Sequence, residues 1–319
     1  MTNWAKVEEI LASAVGDVFP AAQLVVLDAG AQVFSAAVGQ ASEETIFDLA
    51  SLTKPLATTT LIMQLVGRGQ LSLEDEARPG VAVRYLLAHA SGLPAWKLLG
   101  ASRAAVLASV RQGPLEFPTG TKSVYSDLGF ILLGALLEEK TGEPLDARFA
   151  REIAAPLGVE TRYLPLDPLA CAPCEGQRGV VHDENARAMG GVAGHAGLFS
   201  TARDVAAIAR ALLAAWRGEA GIVAPEVVRK FWQPSGVPHS TWCLGWDRPS
   251  PVGSSAGARW PKEGVGHLGF TGTSLWLDPP RGRAVVLLSN RVEPTRKNER
   301  IKIFRPLLHD AVLDALDGR

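Results

Sequence analysis

The sequence predicts an α+β fold in which one antiparallel sheet is assembled from both ends of the chain and the middle forms an inserted all-helical domain. Three observations carry this. Apolar runs flank turn residues near the start, in Ala22–Gly39 around Asp28-Ala29-Gly30. They do so again near the end, where His267–Asp278 and Ala284–Ser289 flank Pro279-Pro280-Arg281-Gly282. The stretch between them has helical periodicity interrupted by Gly and Pro, and helical patterns close both termini. The expected division is residues 1–60 plus 201–319 in the sheet domain and 61–200 in the helical one.

Taken in order, the first helix has Trp4, Val7, Ile10, Leu11, Val15 and Phe19 at helical spacing. The hairpin of Ala22–Gly39 follows, then an extended stretch, Thr45–Asp48, and an apolar helical run. That run carries Lys54, has Pro55 in its first turn, where a missing N–H costs nothing, and stops near Val66 before Gly67 and Gly69. Residues 82–96 read as a short helix closed by Gly92-Leu93-Pro94, with His89 as a hydrogen-bonded core or turn histidine. A turn delivers Tyr125, a helix starts near Asp127, and residues 144–157 continue in helical pattern. Residues 159–200 are loop-rich. Thr201-x-x-Asp204 is a capping box that opens a helix to about Trp216. Trp242–Trp246 reads as a strand, and a last helix covers about 298–316.

Composition excludes several classes of function. Of 319 residues, 47% are hydrophobic and 20% charged, ordinary for a globular chain, and the net charge of −1 lacks the basic excess that nucleic acid or an anionic membrane surface calls for. No run approaches the roughly 20 apolar residues of a membrane span. Acids within the first ten residues and the lack of a basic-then-apolar order predict no secretory signal, and three cysteines fit a reducing, cytoplasmic setting. Cys171-x-x-Cys174 has no second pair and sits in a loop marked by Pro165, Pro168 and Pro173, so neither metal nor redox chemistry is expected there. His182-Asp183-Glu184-Asn185 superficially resembles a metal set, but adjacent residues point in different directions. No metal or organic cofactor is implied.

The chemistry concentrates on Ser51 and Lys54. At i and i+3 in the first turn of a helix they share one face. The unpaired amides of that turn favour negative charge. A hydroxyl there can lose its proton to a neighbouring amine and attack an acyl carbon. Alone, Ser-x-x-Lys is a loose pattern that reads far more readily as an N-cap followed by a solvated lysine. Two further segments join it, Tyr125-Ser126-Asp127 and His267-Leu268-Gly269. With "DLASLTKPLA", "LLAHASGLP", "FPTGTKSVYSDLGFILLG", "GVVHDENA", "GHAGLFSTARD" and "HLGFTGTSLWLDP" in this order, the chain resembles the serine β-lactamase and penicillin-binding-protein superfamily. Within it, the chain is most similar to the branch of class C β-lactamases, D-alanyl carboxypeptidases and related esterases.

The resemblance implies a β-lactamase/transpeptidase-like fold with the active site between the two domains. Ser51 matches the nucleophile, Lys54 its activating lysine and Tyr125 a proposed general base. Asp127 and the His267–Gly269 segment match substrate-binding positions, and the backbone N–H groups of Ser51 and Phe270 match the oxyanion hole. Burial is expected to disfavour charge on Lys54, and a nearby cation to ease ionisation of Tyr125, so that the two share a proton. Gly269 is expected to let a substrate carbonyl approach the strand.

Two departures bear on substrate. His267 stands where the family pattern has Lys, and Asp127 where it has Asn. A mostly neutral side chain and an added negative charge both disfavour anionic substrates, unless Arg187, Lys262 or Arg291 restores a positive site. The expected activity is an esterase acting on short acyl esters through an acyl-enzyme, with Trp96 and Trp242 in an acyl pocket. The alternatives are a β-lactamase or D-alanyl-D-alanine carboxypeptidase, and a non-catalytic binding or regulatory protein. The expected partner is a small-molecule ester or amide. His195 is expected as a turn residue or cleft liner, and residues 182–185 as a loop that shapes the cleft.

Overall fold

The structure is a computed structural model that describes residues 4–164 and 166–318; Pro165, one of the loop-marking prolines, lies outside them. Helix α1 (Ala5–Ser13) leads into strands β1 (Ala21–Asp28) and β2 (Ala31–Gly39), joined at Ala29 and Gly30. Both turn residues have positive φ, 49° and 80°, the pairing a tight two-residue hairpin requires. Val15 and Phe19 fall beyond α1, where they bridge to each other.

Strand β3 (Phe47–Asp48) precedes a 3₁₀ turn at Ala50–Leu52, a π-helical stretch at Lys54–Thr59 and helix α2 (Thr60–Gly67). Next come β4 (Glu76–Arg78), β5 (Val81–Ala82), α3 (Val83–Leu87), α4 (Arg103–Gln112) and α5 (Asp127–Thr141). Helices α6 (Leu145–Phe149), α7 (Ala155–Leu157) and α8 (Glu184–Ala188) follow, then β6 (Phe199–Ser200), α9 (Ala202–Arg217) and α10 (Pro225–Phe231). The chain closes with β7 (Val265–Leu268), β8 (Ser274–Asp278), β9 (Arg283–Ser289) and α11 (Ile301–Leu316).

The five-stranded antiparallel sheet runs β2-β1-β9-β8-β7, so the first and last thirds of the chain meet at its centre, with Val25 opposite Val286. Strand alternation divides the core in two. Leu24, Val26, Trp276, Val285 and Leu287 pack against Val7, Leu11, Phe304, Leu308 and Val312 of α1 and α11. Val25, Leu27, Leu275, Leu277, Val286 and Leu288 join a larger cluster with α9 and the helices of the middle segment. With both faces covered, β1 reads as an almost unbroken apolar run rather than an alternating one.

Two expected strands differ. His267–Asp278 is not one strand: β7 and β8 pair with each other, and residues 269–273 form the turn between them. Trp242–Trp246 is irregular, with one bridge nearby between Asp247 and Gly266. Among the described residues, no helix is long and apolar enough to cross a membrane.

Candidate active site

Ser51 stands on a strained turn. Ala50 before it has φ 47°, a left-handed conformation that costs an alanine roughly 1 kcal/mol or more. Buried Asp48 holds that turn: its two carboxylate oxygens accept the N–H of Ala50 (2.8 Å) and of His182 (2.7 Å). Burial nevertheless pushes the Asp48 pKa up to about 6, against the pull of those two donors. The helix behind Ser51 is pinned by residues 194–198, through Thr58 Oγ1 to Gly194 O (2.7 Å) and Leu198 N–H to Thr53 Oγ1 (3.1 Å).

Lys54 is wholly buried. Its ammonium donates to Ser51 Oγ (2.7 Å) and His195 O (3.0 Å) and lies 2.6 Å from Asp127 Oδ1. It also sits 5.0 Å from the centre of the Tyr125 ring. Burial works against the charge, but Asp127 and then Tyr125 outweigh it, and the Lys54 pKa is raised. For Tyr125 burial is the largest influence and raises the pKa; Lys54 opposes it without reversing it. The sequence expectation for this pair is thereby corrected. Lys54 is a stabilised cation and Tyr125 a neutral phenol, because Asp127 supplies the counter-charge.

Asp127 opens α5. Its position follows from the Ser126 cap, whose hydroxyl accepts Gly129 N–H and donates to Pro94 O, and from Asp127 N–H to Ala95 O (3.0 Å). His89, with φ 54°, accepts the Ser126 N–H on Nδ1 (3.0 Å). Its ring lies 4.6 Å from Tyr125 and 4.3 Å from Trp242. Burial, with Lys54 and His267 adding to it, holds the His89 pKa well below the usual range. It is a buried, hydrogen-bonded histidine, as its sequence context predicts, but one that packs against Tyr125.

His267 is buried in β7 and donates from Nδ1 to Leu268 O (2.8 Å). Burial, with the Lys54 charge adding to it, pulls its pKa to about 3, so it is neutral at pH 7. Gly269 is demanded by its own chain. A Cβ there would collide with the Thr273 hydroxyl and come within 2.7 Å of Leu49 O, two residues before the nucleophile. Phe270 stands half exposed at the mouth, its ring 4.4 Å from the Arg291 guanidinium.

Ser51, Trp96, Tyr125, Asp127, Trp242 and His267–Phe270 line one cleft of about 670 Å³, with Lys54 buried behind Ser51. Arg291 also lines it, but its guanidinium is taken by the carbonyls of Phe270, Arg296 and Asn298. Arg187 donates to Gln177 and His182 O, and neither it nor Lys262 borders the cleft. His182, Asp183 and Glu184 do border it. Asp183 caps α8 through Ala186 N–H and accepts from His195 Nε2 (both 2.7 Å). Burial would raise the Asp183 pKa, but His195 and the cap hold it well below the usual carboxylate range.

His195 therefore links two parts of the site, its ring on Asp183 and its carbonyl on Lys54. Sequence reasoning missed Asp48 and this link. The acid immediately before the Leu49-Ala50-Ser51 turn was the available signal for the first. Cys171 and Cys174 are buried thiols with raised pKa values, desolvation being the first cause for each. Among the described residues, no group of three or more His, Cys, Asp or Glu is placed to hold a metal ion.

The fold is that of the superfamily that contains the serine β-lactamases and penicillin-binding proteins. The family described as Beta-lactamase matches residues 7–308, and the chain belongs to it. The chain is 31% identical to an N-acetylmuramyl-L-alanine amidase of Bacillus subtilis strain 168, over 90% of this chain and 80% of that one. It is 30% identical to an Escherichia coli K12 protein named provisionally as a D-alanyl-D-alanine carboxypeptidase, over 79% and 70% of the two chains. Its fold matches the solved structure of EstCE1, a hydrolase with promiscuous acyltransferase activity, with a TM-score of 0.78 at 21% identity over 97% of each chain.

Proposed function

We propose that this protein hydrolyses short-chain, uncharged esters through an acyl-enzyme on Ser51. The observation that carries the reading is the contact of Ser51 Oγ with the buried Lys54 ammonium, itself 2.6 Å from Asp127. A serine hydroxyl is a poor nucleophile until a neighbour takes its proton. Lys54, once it has lost its own proton to solvent, accepts the one leaving Ser51 as Ser51 Oγ bonds to the acyl carbon, and the Asp127 carboxylate beside it stabilises the ammonium so formed. The N–H groups of Ser51 and Phe270 receive the oxyanion, an effect worth about 3–4 kcal/mol per donor in enzymes where it has been measured. Lys54 or neutral Tyr125 then protonates the departing alkoxide. Water hydrolyses the ester of Ser51 by the reverse path.

The preference for uncharged substrates rests on neutral His267 and on the apolar Trp96, Trp242, Leu268 and Phe270 at the walls. It no longer rests on Asp127, whose charge is matched by Lys54. A second reading, amide hydrolysis, is favoured by Tyr125. An amine must leave protonated, and a phenol with a raised pKa is a proton donor beside the bond to be broken. The Bacillus subtilis relative's name points the same way.

The test is a panel of p-nitrophenyl acetate and butyrate, a chromogenic cephalosporin, a D-Ala-D-Ala peptide and muramyl-L-alanine, run beside Ser51→Ala. Ester turnover that Ser51→Ala abolishes is expected. Turnover that survives the substitution refutes the nucleophile, and faster cephalosporin or amide cleavage than ester cleavage refutes the substrate class.

A further inference from the structure

Arg305 is a buried guanidinium on α11 with no carboxylate at ion-pair distance among the described residues. It donates instead to two carbonyls, Gly269 O (2.9 Å) and Thr273 O (2.7 Å). Those carbonyls bracket the turn between β7 and β8, and Gly269 N–H also bonds to Thr273 O. Burial lowers the Arg305 pKa to about 9, which leaves it charged at neutral pH.

Gly269 C=O and Phe270 N–H belong to the same peptide group. That group is planar and trans, so its oxygen and hydrogen point in opposite directions. Fixing the oxygen fixes the line along which the hydrogen points. Among the described residues, no hydrogen bond engages the Phe270 N–H. A cation on the carbonyl side also polarises the amide and strengthens its N–H as a donor, as it does in any hydrogen-bonded chain. The next peptide is held in the same way, by Arg291 Nε on Phe270 O (2.7 Å).

We infer that Arg305 is a positioning residue for the oxyanion donor: it clamps and polarises the 269–270 peptide so that Phe270 N–H faces the tetrahedral intermediate on Ser51. The inference rests on the acyl-enzyme reading above. It accounts for a positive charge placed where a purely structural tie would need only a neutral donor, since an uncompensated buried charge is costly.

The test compares wild type, Arg305→Gln and Arg305→Lys on p-nitrophenyl butyrate, on the thiono ester in which sulfur replaces the carbonyl oxygen, and on phenylboronic acid, which forms a tetrahedral adduct with the serine. In Arg305→Gln, kcat on the oxygen ester should fall about 10- to 100-fold, part of what complete loss of such a donor costs. KM should stay within about twofold. The thiono ester, which uses the donor poorly, should lose less, and boronate affinity should fall in step with kcat. Arg305→Lys, which keeps the charge and one donor, should recover part of each loss.

Equal losses on both esters, or boronate affinity unchanged in a variant whose circular dichroism is native, would overturn the inference. If Arg305→Gln does not fold, Arg305→Lys carries the same comparison. A wild type that binds boronate but cleaves neither ester refutes the ester reading alone, because boronate affinity still judges Arg305. A wild type that does neither overturns both.

Discussion

Replacing Asp127 by Asn should make the enzyme work at lower pH. Asp127 Oδ1 lies 2.6 Å from Lys54 Nζ, which puts the charge centres roughly 4 Å apart. At an effective dielectric constant near 20 that attraction is about 4 kcal/mol. Asn keeps the size of the side chain and an oxygen for Lys54 but removes the charge. Burial, the largest influence on Lys54, acts to strip its proton, and in the variant only Tyr125 opposes it. If two-thirds of the attraction is offset by rearrangement, about 1.4 kcal/mol remains, a factor of ten in the fraction of neutral Lys54. The assay is kcat/KM for p-nitrophenyl butyrate between pH 5 and 10, each profile scaled to its own plateau. On the rising limb the variant should exceed wild type at least about tenfold. On the proposed mechanism a less basic Lys54 is also a weaker acceptor for the serine proton, which lowers the plateau, and so the position of the limb is the observable. A limb that stays in place or moves to higher pH would refute the assignment of Lys54 as the group that must lose its proton.

The remaining predictions concern the frame around that pair. Asp48 has its folded pKa raised from 3.8 to about 6, so its contribution to stability is complete below about pH 4 and is lost as pH rises through 6, a change of about 3 kcal/mol. Urea denaturation of wild type and Asp48→Asn across pH 4–7 should show the wild type losing that much relative to the variant; a flat or rising difference contradicts the burial argument. Gly269→Ala must displace Thr273 or Leu49 and should cost about 1–3 kcal/mol by overpacking, with activity lost more steeply than stability because the turn carries Phe270. Melting temperature and ester turnover measured on the same sample separate the two effects. Imidazole nitrogen shifts of His267 should stay those of the neutral Nδ1–H form from pH 7 down to about 4, and a midpoint near 6.5 would show that the ring is solvated.

Both hairpins were legible because their turns carry local signals, Asp28-Ala29-Gly30 and Pro279–Gly282, between runs of strand formers. The break inside 267–278 was not. His-Leu-Gly-Phe-Thr-Gly-Thr-Ser reads equally well as continuous strand, and what bends it is a tertiary contact, Thr273 Oγ1 donating to Leu49 O (3.1 Å). The grouping of Ser51, Tyr125 and His267 on one cleft, with Lys54 behind Ser51, followed from the family resemblance that their segments carry in this order. The charge state of Lys54 did not, since it depends on a distance to Asp127 that spans 73 positions of sequence. Arg305 was invisible for a related reason. In an amphipathic helical pattern an arginine reads as a solvent-facing residue, and only the packing of α11 against the sheet turns it inward.

The pairing of β1 with β9 has a consequence for how the protein comes into being. The segment bearing Ser51 leaves the ribosome early, but the strand beside β1 and the turn bearing Phe270 come from the last fifth of the chain. Contacts so distant in sequence form slowly, and none of them can form before their second half has been made. On the acyl-enzyme reading, a nascent chain therefore carries Ser51 for most of synthesis without the Phe270 N–H that would receive the oxyanion. On that reading the oxyanion site is completed only as translation ends.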